Sequence, residues 1–221
     1  MVLAQKFMGI SYTAVPVQQC RHCQSRGQVV CGSRLMVFHS KKSLRAHCRE
    51  TWTGFLRQPG SVNRILEQLD ALIRSRIQTH SRVLITLPMP DELDYLRILS
   101  MLSNELYAPR TLPQGMEFRR WQLHDAPIAG HFNVPGPVDD APPLHWPLRS
   151  DDIVIVPTMG TDPKGYRLGR GGGYYDRMRE QLQSGFLIAP VPEALSRLPF
   201  QPESHDTRVN AIVTEAGFRF T

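Results

Sequence analysis

The stretch Asp152-Ile-Val-Ile-Val156 is followed, after a short segment, by Arg167-Leu-Gly-Arg-Gly-Gly-Gly-Tyr-Tyr-Asp-Arg177. The first run is almost continuously apolar, which is typical of a strand covered on both faces of a parallel sheet. The second run places three successive glycines directly before a segment of helical composition. A buried strand, a glycine-rich turn and a helix in this order predict an α/β protein.

Helix and strand patterns alternate along the rest of the chain. Apolar residues at helical spacing predict helices over 40–56, 61–77, 91–106 and 174–182, with Ser61 as the N-cap of the second. Apolar and β-branched runs predict strands over 82–87, 116–123, 186–189 and 211–214, and the prolines and glycines of 126–147 predict a long loop. The alternation favours a three-layer α/β/α architecture with an open, mainly parallel central sheet and residues 116–123 at its margin.

The glycines Gly171, Gly172 and Gly173 indicate an anion site. Glycine adopts a positive φ without strain and lets backbone N–H groups approach a ligand closely. A helix that begins behind such a turn adds further free N–H groups, and the combination suits phosphate. Arg167 and Arg170 add forked, charged donors for phosphate oxygens. The segment is neither a Walker loop nor a dinucleotide-binding fingerprint.

Asp176 lies in the first turn of the predicted helix, beside any bound phosphate. A carboxylate there favours a Mg²⁺ ion between itself and the phosphates. An acidic residue that only complements the helix dipole has the same position, and the spacing leaves both interpretations open. Tyr174 is spaced at i, i+4 and i+8 with Met178 and Leu182, so we expect Tyr174 to face the core and Tyr175 or Asp176 to face the site.

The overall charge favours anionic ligands. The chain has 221 residues and a net charge of +6, which does not separate nucleic acids from nucleotides as partners. There is no apolar window long enough for a membrane span and no secretory signal pattern, so a cytoplasmic location is expected. The basic residues at the start of the first predicted helix either face a ligand or form a solvated face: Lys41, Lys42, Arg45 and Arg49.

Residues 1–38 have an irregular composition and are expected to be an extension outside the fold or the product of an upstream start, with Met36 as the true start. Residues 39–221 are then a single α/β domain. Cys20 and Cys23 have the spacing of half a zinc site, which His22 and Cys31 could complete; the alternative is a set of reduced thiols in a loosely ordered tail.

The glycine-rich string resembles the hallmark of the 5-formyltetrahydrofolate cyclo-ligase family, also called methenyltetrahydrofolate synthetases. The resemblance covers about residues 40–215. Further segments match the family in order and approximate spacing: Lys41-Lys-Ser-Leu-Arg45, Pro88-Met-Pro-Asp-Glu92, Leu112-Pro with Met116-Glu-Phe118, Phe132-Asn-Val-Pro135, and His205-Asp206 with Ala211-Ile-Val-Thr-Glu215.

This resemblance implies an ATP-dependent ligase. ATP would phosphorylate the formyl oxygen of 5-formyltetrahydrofolate, N10 would attack the activated carbon, and loss of phosphate would leave 5,10-methenyltetrahydrofolate and ADP. Such chemistry requires a phosphate cradle, a metal and accurate placement more than a side-chain nucleophile. The implied partners are the folate and ATP, with Mg²⁺ as cofactor, no membrane or nucleic acid partner, and a monomeric protein.

The resemblance also assigns residues. The catalytic set is Arg167, Arg170 and Asp176, with Asp176 as the metal ligand. The ATP-binding set is Lys41, Arg45, Arg167, Gly169, Arg170, Gly171, Gly172, Gly173, Tyr174 and Tyr175. The folate-binding set is Glu92, Met116 and Phe132. From the residues alone, Glu92 could instead be a first-turn acid of the helix begun at Asp91, and Phe132 an ordinary apolar anchor.

Three positions depart from the family pattern. Thr161 replaces an aromatic residue, Gly136 precedes Pro137 where a glutamate or polar residue is common, and Thr86 stands where a tyrosine is often found. The phosphate end therefore matches the family more closely than the folate end. This leaves two alternatives open: a nucleotide-binding paralogue with an altered substrate, and a non-enzymatic protein with a regulatory or RNA-binding role.

Overall fold

The computed structural model describes the backbone of residues 5–7, 10–14, 28–31 and 34–38, and residues 40–221 with their side chains. The first group forms an antiparallel sheet in the order β1-β2-β4-β3. Its strands are β1 (Gln5–Phe7), β2 (Ile10–Ala14), β3 (Gln28–Cys31) and β4 (Arg34–Phe38). These strands differ from the irregular structure expected there, while the division of the chain at residue 38 stays a prediction. Cys20, His22 and Cys23 lie outside the described residues, as does the side chain of Cys31.

The rest of the described chain is built on a seven-stranded sheet in the order β15-β14-β13-β10-β5-β6-β7. Its strands are β5 (Arg82–Leu84), β6 (Glu105–Leu112), β7 (Gly115–Trp121), β10 (Ile153–Ile155), β13 (Phe186–Pro190), β14 (Ala211–Thr214) and β15 (Gly217–Phe220). The inner five strands are parallel, and β7 and β15 are antiparallel at the two edges. The predicted α/β fold with a mainly parallel sheet is confirmed, as is the marginal position of residues 116–123.

Helices and short hairpins complete the fold. The helices are α1 (Lys41–Leu56), α2 (Pro59–Arg76), α3 (Leu96–Leu99), α4 (Tyr174–Arg177) and α5 (Arg179–Leu182). Two pairs of two-residue strands lie beside the main sheet: β8 (Ile128–Ala129) with β9 (Pro135–Gly136), and β11 (Gly160–Thr161) with β12 (Arg167–Leu168). None of the described helices is both long and apolar enough to cross a membrane.

The first helix begins as the sequence predicts. Ser40 and Ser43 form a reciprocal capping box, and the buried stripe of α1 is Leu44, Cys48, Trp52 and Phe55. The N-cap predicted for the second helix is wrong. Gln58 is the N-cap and Pro59 is the first helical residue, a position where proline loses no hydrogen bond because that N–H has no intrahelical partner.

The helix predicted over 91–106 is wrong. Only α3 forms there, although Tyr95 and Leu99 are buried as their spacing indicated. Residues 105–112 form β6 instead, because this run pairs in parallel with β5 and buries its residues 106–111. The helix predicted over 174–182 is also divided: Met178, with φ of −96° and ψ of 7°, separates α4 from α5.

The side of the sheet on which new strands are added changes between β5 and β10. From β5 the chain adds β6 and β7 on one side, and it then returns to place β10, β13 and β14 on the other side. Ligands in open α/β sheets bind at such a switch point, beyond the carboxyl ends of the strands. The residues that follow β5 and β10 at this point are Thr86, Leu87 and Pro157.

A buried ion pair joins the opposite ends of the same two strands. Asp152 is completely buried and accepts hydrogen bonds from the backbone N–H of Arg82 at 2.8 Å, from Arg82 Nε at 3.0 Å and from the backbone N–H of Arg149 at 2.7 Å. Burial opposes ionisation of Asp152, but the hydrogen bonds from Arg82 and Arg149 outweigh it and lower the pKa of the carboxyl.

We predict that Asp152→Asn lowers the free energy of unfolding by about 3 kcal/mol, because it leaves the Arg82 guanidinium without its charged partner. Urea unfolding followed by circular dichroism measures this. The control is Asp70→Asn, which removes an i,i+4 pair with Arg74 on α2 and is expected to cost less than about 0.5 kcal/mol. Equal losses in the two variants would contradict the structural role of Asp152.

Because the pKa of Asp152 is lowered by folding, its contribution to the free energy of unfolding persists at neutral pH and is lost only below about pH 4.

Candidate active site

A cavity of about 300 Å³ lies at the switch point between β5 and β10, and we call it the main cavity. Its volume is at the lower end of the range for small-molecule sites. It brings together most of the residues predicted for the two halves of the site: Glu92, Met116, Phe132, Arg167, Gly169, Arg170, Gly172, Gly173, Tyr174, Tyr175 and Asp176. Lys41, Arg45 and Gly171 do not line it. Thr86, Leu87 and Pro157 form part of its wall.

The glycine-rich loop between β12 and α4 presents free amides. Gly171 has a φ of 111° and Gly173 a φ of 67°, conformations that favour glycine. In residues 40–221, no acceptor pairs with the backbone N–H of Gly171, Gly172 or Gly173. The helix behind them, α4, is a single turn, so its dipole adds less than a full helix would. The free amides themselves are therefore the main anion-binding feature.

Arg167 lies beneath this loop. It is only 4% exposed; Nη2 donates to Asp176 Oδ1 at 2.7 Å and Nη1 donates to the Pro157 carbonyl at 3.3 Å. A Cβ on Gly169 would lie 2.6 Å from Nη1, so glycine is required there for the guanidinium to fit. Arg167 Nε is buried without a partner among the described residues, and burial lowers the pKa of Arg167 despite the nearby Asp176.

Asp176 faces the main cavity with one carboxylate oxygen free. Oδ1 accepts from Arg167 Nη2, from the Thr207 hydroxyl at 2.9 Å and from the Thr207 backbone N–H at 3.2 Å. No donor within residues 40–221 pairs with Oδ2. That part of the chain holds no group of three or more acidic, histidine or cysteine side chains that could enclose a metal. A metal held by Asp176 would therefore take most of its ligands from groups other than these side chains, such as a bound anion or water.

Arg170 is paired rather than free. Its Nη1 and Nη2 donate to the two carboxylate oxygens of Asp91 at 3.1 and 2.9 Å, and its Nε donates to Glu92 Oε1 at 2.8 Å. A second cavity of about 50 Å³, which we call the small cavity, lies on the other side of this cluster. Four residues line both cavities: Thr86, Glu92, Pro157 and Arg170.

The basic side of α1 contacts the glycine-rich loop but does not enter the main cavity. Arg45 Nε donates to the Gly169 carbonyl at 2.8 Å. Lys41 Nζ lies 2.8 Å from Asp206 and 2.9 Å from Glu203; burial opposes its charge, but these partners outweigh burial and raise the pKa of Lys41. Arg49, one of the four basic residues noted in the first predicted helix, lines the small cavity.

The folate-binding set predicted by resemblance lines the main cavity, with Glu92 in the wall that this cavity shares with the small cavity. Glu92 lies in a turn, where Oε2 accepts from the Met89 backbone N–H at 3.0 Å, so the alternative of a first-turn helical acid is wrong. Phe132 is 74% exposed at the cavity rim and has a φ of 57°. It is therefore not an apolar anchor of the core. Met116 is half-buried beside it in the cavity wall.

The two tyrosines differ from the expected arrangement. Both Tyr174 and Tyr175 line the main cavity, and Tyr175 is the more deeply buried, with its ring against Phe118. The Tyr175 hydroxyl has no hydrogen-bond partner among the residues that the structure describes. Burial raises the pKa of Tyr175 well above its usual value, so the phenol stays protonated and able to donate.

The three departures from the family pattern have local explanations. Thr161 is buried and its hydroxyl donates to the Ser196 carbonyl at 3.0 Å. At Gly136, a Cβ would lie 2.7 Å from the Pro109 carbonyl oxygen, which excludes larger residues. The Thr86 hydroxyl and backbone N–H both lie 2.7 Å from the Tyr95 hydroxyl. The buried Tyr95 phenol thus lies beside Thr86 in the wall of the small cavity.

Comparison with known proteins decides the family. A model of the 5-formyltetrahydrofolate cyclo-ligase family matches residues 39–215. The chain belongs to this family. The 5-formyltetrahydrofolate cyclo-ligase of Mycolicibacterium smegmatis is 34% identical over 80 residues, which are 33% of this chain and 40% of that protein. The protein of the same name from Haemophilus influenzae is 45% identical over 42 residues, 19% of this chain and 22% of that protein. The matched segments span less than half of either relative.

Two solved structures share the fold. The NMR structure of 5,10-methenyltetrahydrofolate synthetase from Aquifex aeolicus has a TM-score of 0.67 and 21% identity, covering 81% of this chain and 92% of that one. The synthetase from Mycoplasma pneumoniae has a TM-score of 0.61 and 16% identity, covering 80% and 99%. Membership of the cyclo-ligase family confirms the resemblance seen in the sequence.

We predict that Tyr175→Phe leaves the free energy of unfolding unchanged or raises it by up to about 1 kcal/mol, because it removes a buried hydroxyl that has no partner. The matched control is Tyr95→Phe, which removes a hydroxyl bonded to Thr86 and should lower the free energy of unfolding by about 1–2 kcal/mol. Urea unfolding measures both. A loss in Tyr175→Phe as large as that in Tyr95→Phe would contradict the unpaired state of the Tyr175 hydroxyl.

Proposed function

We propose that this chain converts 5-formyltetrahydrofolate into 5,10-methenyltetrahydrofolate with consumption of ATP and release of ADP and phosphate. One observation carries the proposal: a single cavity joins a glycine-rich loop with free amides to an apolar wall that carries one acidic side chain. The loop suits a polyphosphate, and the wall suits a flat heterocycle with hydrogen-bond donors. The two substrates would therefore meet in one enclosed space.

The nucleotide half consists of the glycine-rich loop and the cations around it. The N–H groups of Gly171, Gly172 and Gly173 would donate to phosphate oxygens, since nothing in residues 40–221 uses them. Arg170 would supply positive charge and its unused N–H groups at the cavity wall. Arg45 supports the loop from α1 through its hydrogen bond to the Gly169 carbonyl, whereas Lys41 pairs with Asp206 and Glu203. Both side chains would act at the outer side of the phosphates.

Asp176 would hold Mg²⁺ together with the phosphates of ATP. Mg²⁺ at nucleotide sites is commonly bound by one or two carboxylates, with phosphate oxygens and waters as the other ligands. The free Oδ2 of Asp176 meets that requirement, and Arg167 and Thr207 orient the carboxylate through Oδ1. The ion would supply charge neutralisation at the transferred phosphoryl group.

The folate half would use Glu92 as an acceptor for N–H groups of the pterin. Met116 and Phe132 would provide apolar contact for the ring, and the exposed position of Phe132 at the rim leaves its face available for packing on a ligand. The Tyr175 hydroxyl, buried and without a partner in the described chain, would donate to a polar atom of the bound substrate.

The reaction then depends on accurate placement of the folate and ATP and requires no nucleophile from the protein. The formyl oxygen attacks the γ-phosphorus of ATP, and ADP leaves. N10 attacks the formyl carbon, its proton is lost, and the C–O bond breaks with departure of phosphate. The formyl oxygen thus ends in inorganic phosphate, and the five-membered ring closes. Arg167 and Arg170 contribute positive charge while the phosphoryl group is transferred. A monomeric state, a cytoplasmic location and the lack of a nucleic acid partner stay predictions.

We predict that the purified protein forms methenyltetrahydrofolate from 5-formyltetrahydrofolate and Mg·ATP, followed as the near-ultraviolet absorbance of the product. Asp176→Asn should lower kcat by about 100-fold or more, because the metal and the transferred phosphoryl group lose their carboxylate. The control is Glu180→Gln on α5, whose side chain is exposed and should leave the rate unchanged. Nucleotide binding without product from any folate substrate would contradict the proposed activity and favour the paralogue with an altered substrate.

A further inference from the structure

Arg170 is held by two carboxylates from one turn. Asp91 engages its two terminal nitrogens in a bidentate pair, and Glu92 engages Nε. Asp91 has no helix to cap, because the turn that contains it is not followed by a helix until Leu96. Its carboxylate is instead committed to Arg170, and the hydrogen bonds and charge of Arg170 outweigh burial and hold the pKa of Asp91 below its usual value. This contact joins the segment after β5 to the glycine-rich loop.

The cluster lies in the wall between the two cavities. Arg170 and Glu92 line both cavities, whereas Asp91 lines only the small one. Asp91 therefore contacts Arg170 on the side of the small cavity, away from the main cavity. A guanidinium has five N–H donors, and these contacts use three of them. One N–H on Nη1 and one on Nη2 remain for a ligand.

We propose that Asp91 is a positioning residue of the nucleotide site: its carboxylate fixes the guanidinium of Arg170 so that a remaining N–H group keeps one orientation toward a phosphate oxygen. The inference rests on the proposed function, because it assumes that the main cavity takes ATP. Arg170 is the only side chain with charge among residues 168–173, and its neighbours are mostly glycines. Without a fixed partner, the side chain would lose rotamer freedom when it binds a ligand, and this loss would weaken binding.

Glu92 has two roles in this site: it pairs with Arg170, and it would bind the pterin. Asp91 allows Glu92 to leave Arg170 without releasing the guanidinium. When Glu92 turns to the pterin, Arg170 loses its Nε partner. The bidentate pair with Asp91 keeps the guanidinium in place during that exchange, because it fixes both the position and the plane of the group. The folate and nucleotide halves can then be occupied together without displacing Arg170.

Electrostatic repulsion alone predicts that removal of the Asp91 carboxylate strengthens ATP binding, which is opposite to what a positioning role predicts. The carboxylate is negative and lies near an anion site, so Asp91→Asn should strengthen ATP binding if only Coulomb attraction and repulsion matter. Positioning predicts weaker binding. The sign of the change therefore distinguishes a positioning role from an autoinhibitory one.

The test is isothermal titration calorimetry of the full chain with Mg·ATP. We expect Asp91→Asn to raise the Kd about tenfold. Arg170→Ala should raise it at least as much, and Asp91→Asn added to Arg170→Ala should cause no further loss, because the two residues act as one unit. The Kd for 5-formyltetrahydrofolate without nucleotide should change less than about twofold in Asp91→Asn. Asp94→Asn in the same segment is the matched control and should leave both affinities unchanged.

Three results would overturn the inference. Tighter binding of Mg·ATP by Asp91→Asn would mean that Asp91 sequesters Arg170. An unchanged Kd with a lowered melting temperature would mean that Asp91 serves stability alone. Weaker binding of Mg·ATP by Arg170→Ala but not by Asp91→Asn would refute the inference, although the proposed nucleotide site would still stand. A wild-type protein that binds no Mg·ATP would refute the proposed function itself.

Discussion

The buried pair between Arg167 and Asp176 is the contact on which the candidate site depends. It ties the end of β12 to the single turn α4, on either side of the glycine-rich loop, and Thr207 completes it from a third segment. The loop can hold its positive φ values with free amides because its two ends are fixed in this way. The same pair turns one oxygen of Asp176 toward the main cavity. Gly169 is part of this constraint, since any Cβ there would displace Arg167.

The switch point of the sheet explains why the two halves of the site meet. The residues after β5 carry Asp91 and Glu92, and the residues after β10 lead through the β11–β12 hairpin to the glycine-rich loop. The strands β5 and β10 are parallel neighbours, so both segments leave the sheet at the same edge. Arg170 then bridges them. A cavity with an anion-binding side and an apolar side follows from this topology.

The sequence predicted the parts of the structure that depend on local composition. The apolar run of β10, the helix over 40–56 and the glycine-rich loop were all predicted from the sequence, and the loop carried the family resemblance. The failures come from contacts between distant residues. Residues 105–112 form a strand because β5 pairs with them in parallel, whereas the sequence predicted a helix up to residue 106 and no element over 107–112. Asp91 was interpreted as a helix cap because its partner, Arg170, lies 79 residues further along the chain. The exposure of Phe132 likewise depends on tertiary packing that spacing does not encode.

The central claim is that the amides of the glycine-rich loop bind the phosphates of ATP. A crystal structure of the protein with Mg²⁺ and a non-hydrolysable ATP analogue tests it most directly. The account predicts phosphate oxygens within about 3 Å of the N–H groups of Gly171, Gly172 and Gly173, with Asp176 Oδ2 facing the metal ion. Phosphates bound elsewhere, with those amides still open or Asp176 turned away from the metal, would contradict it.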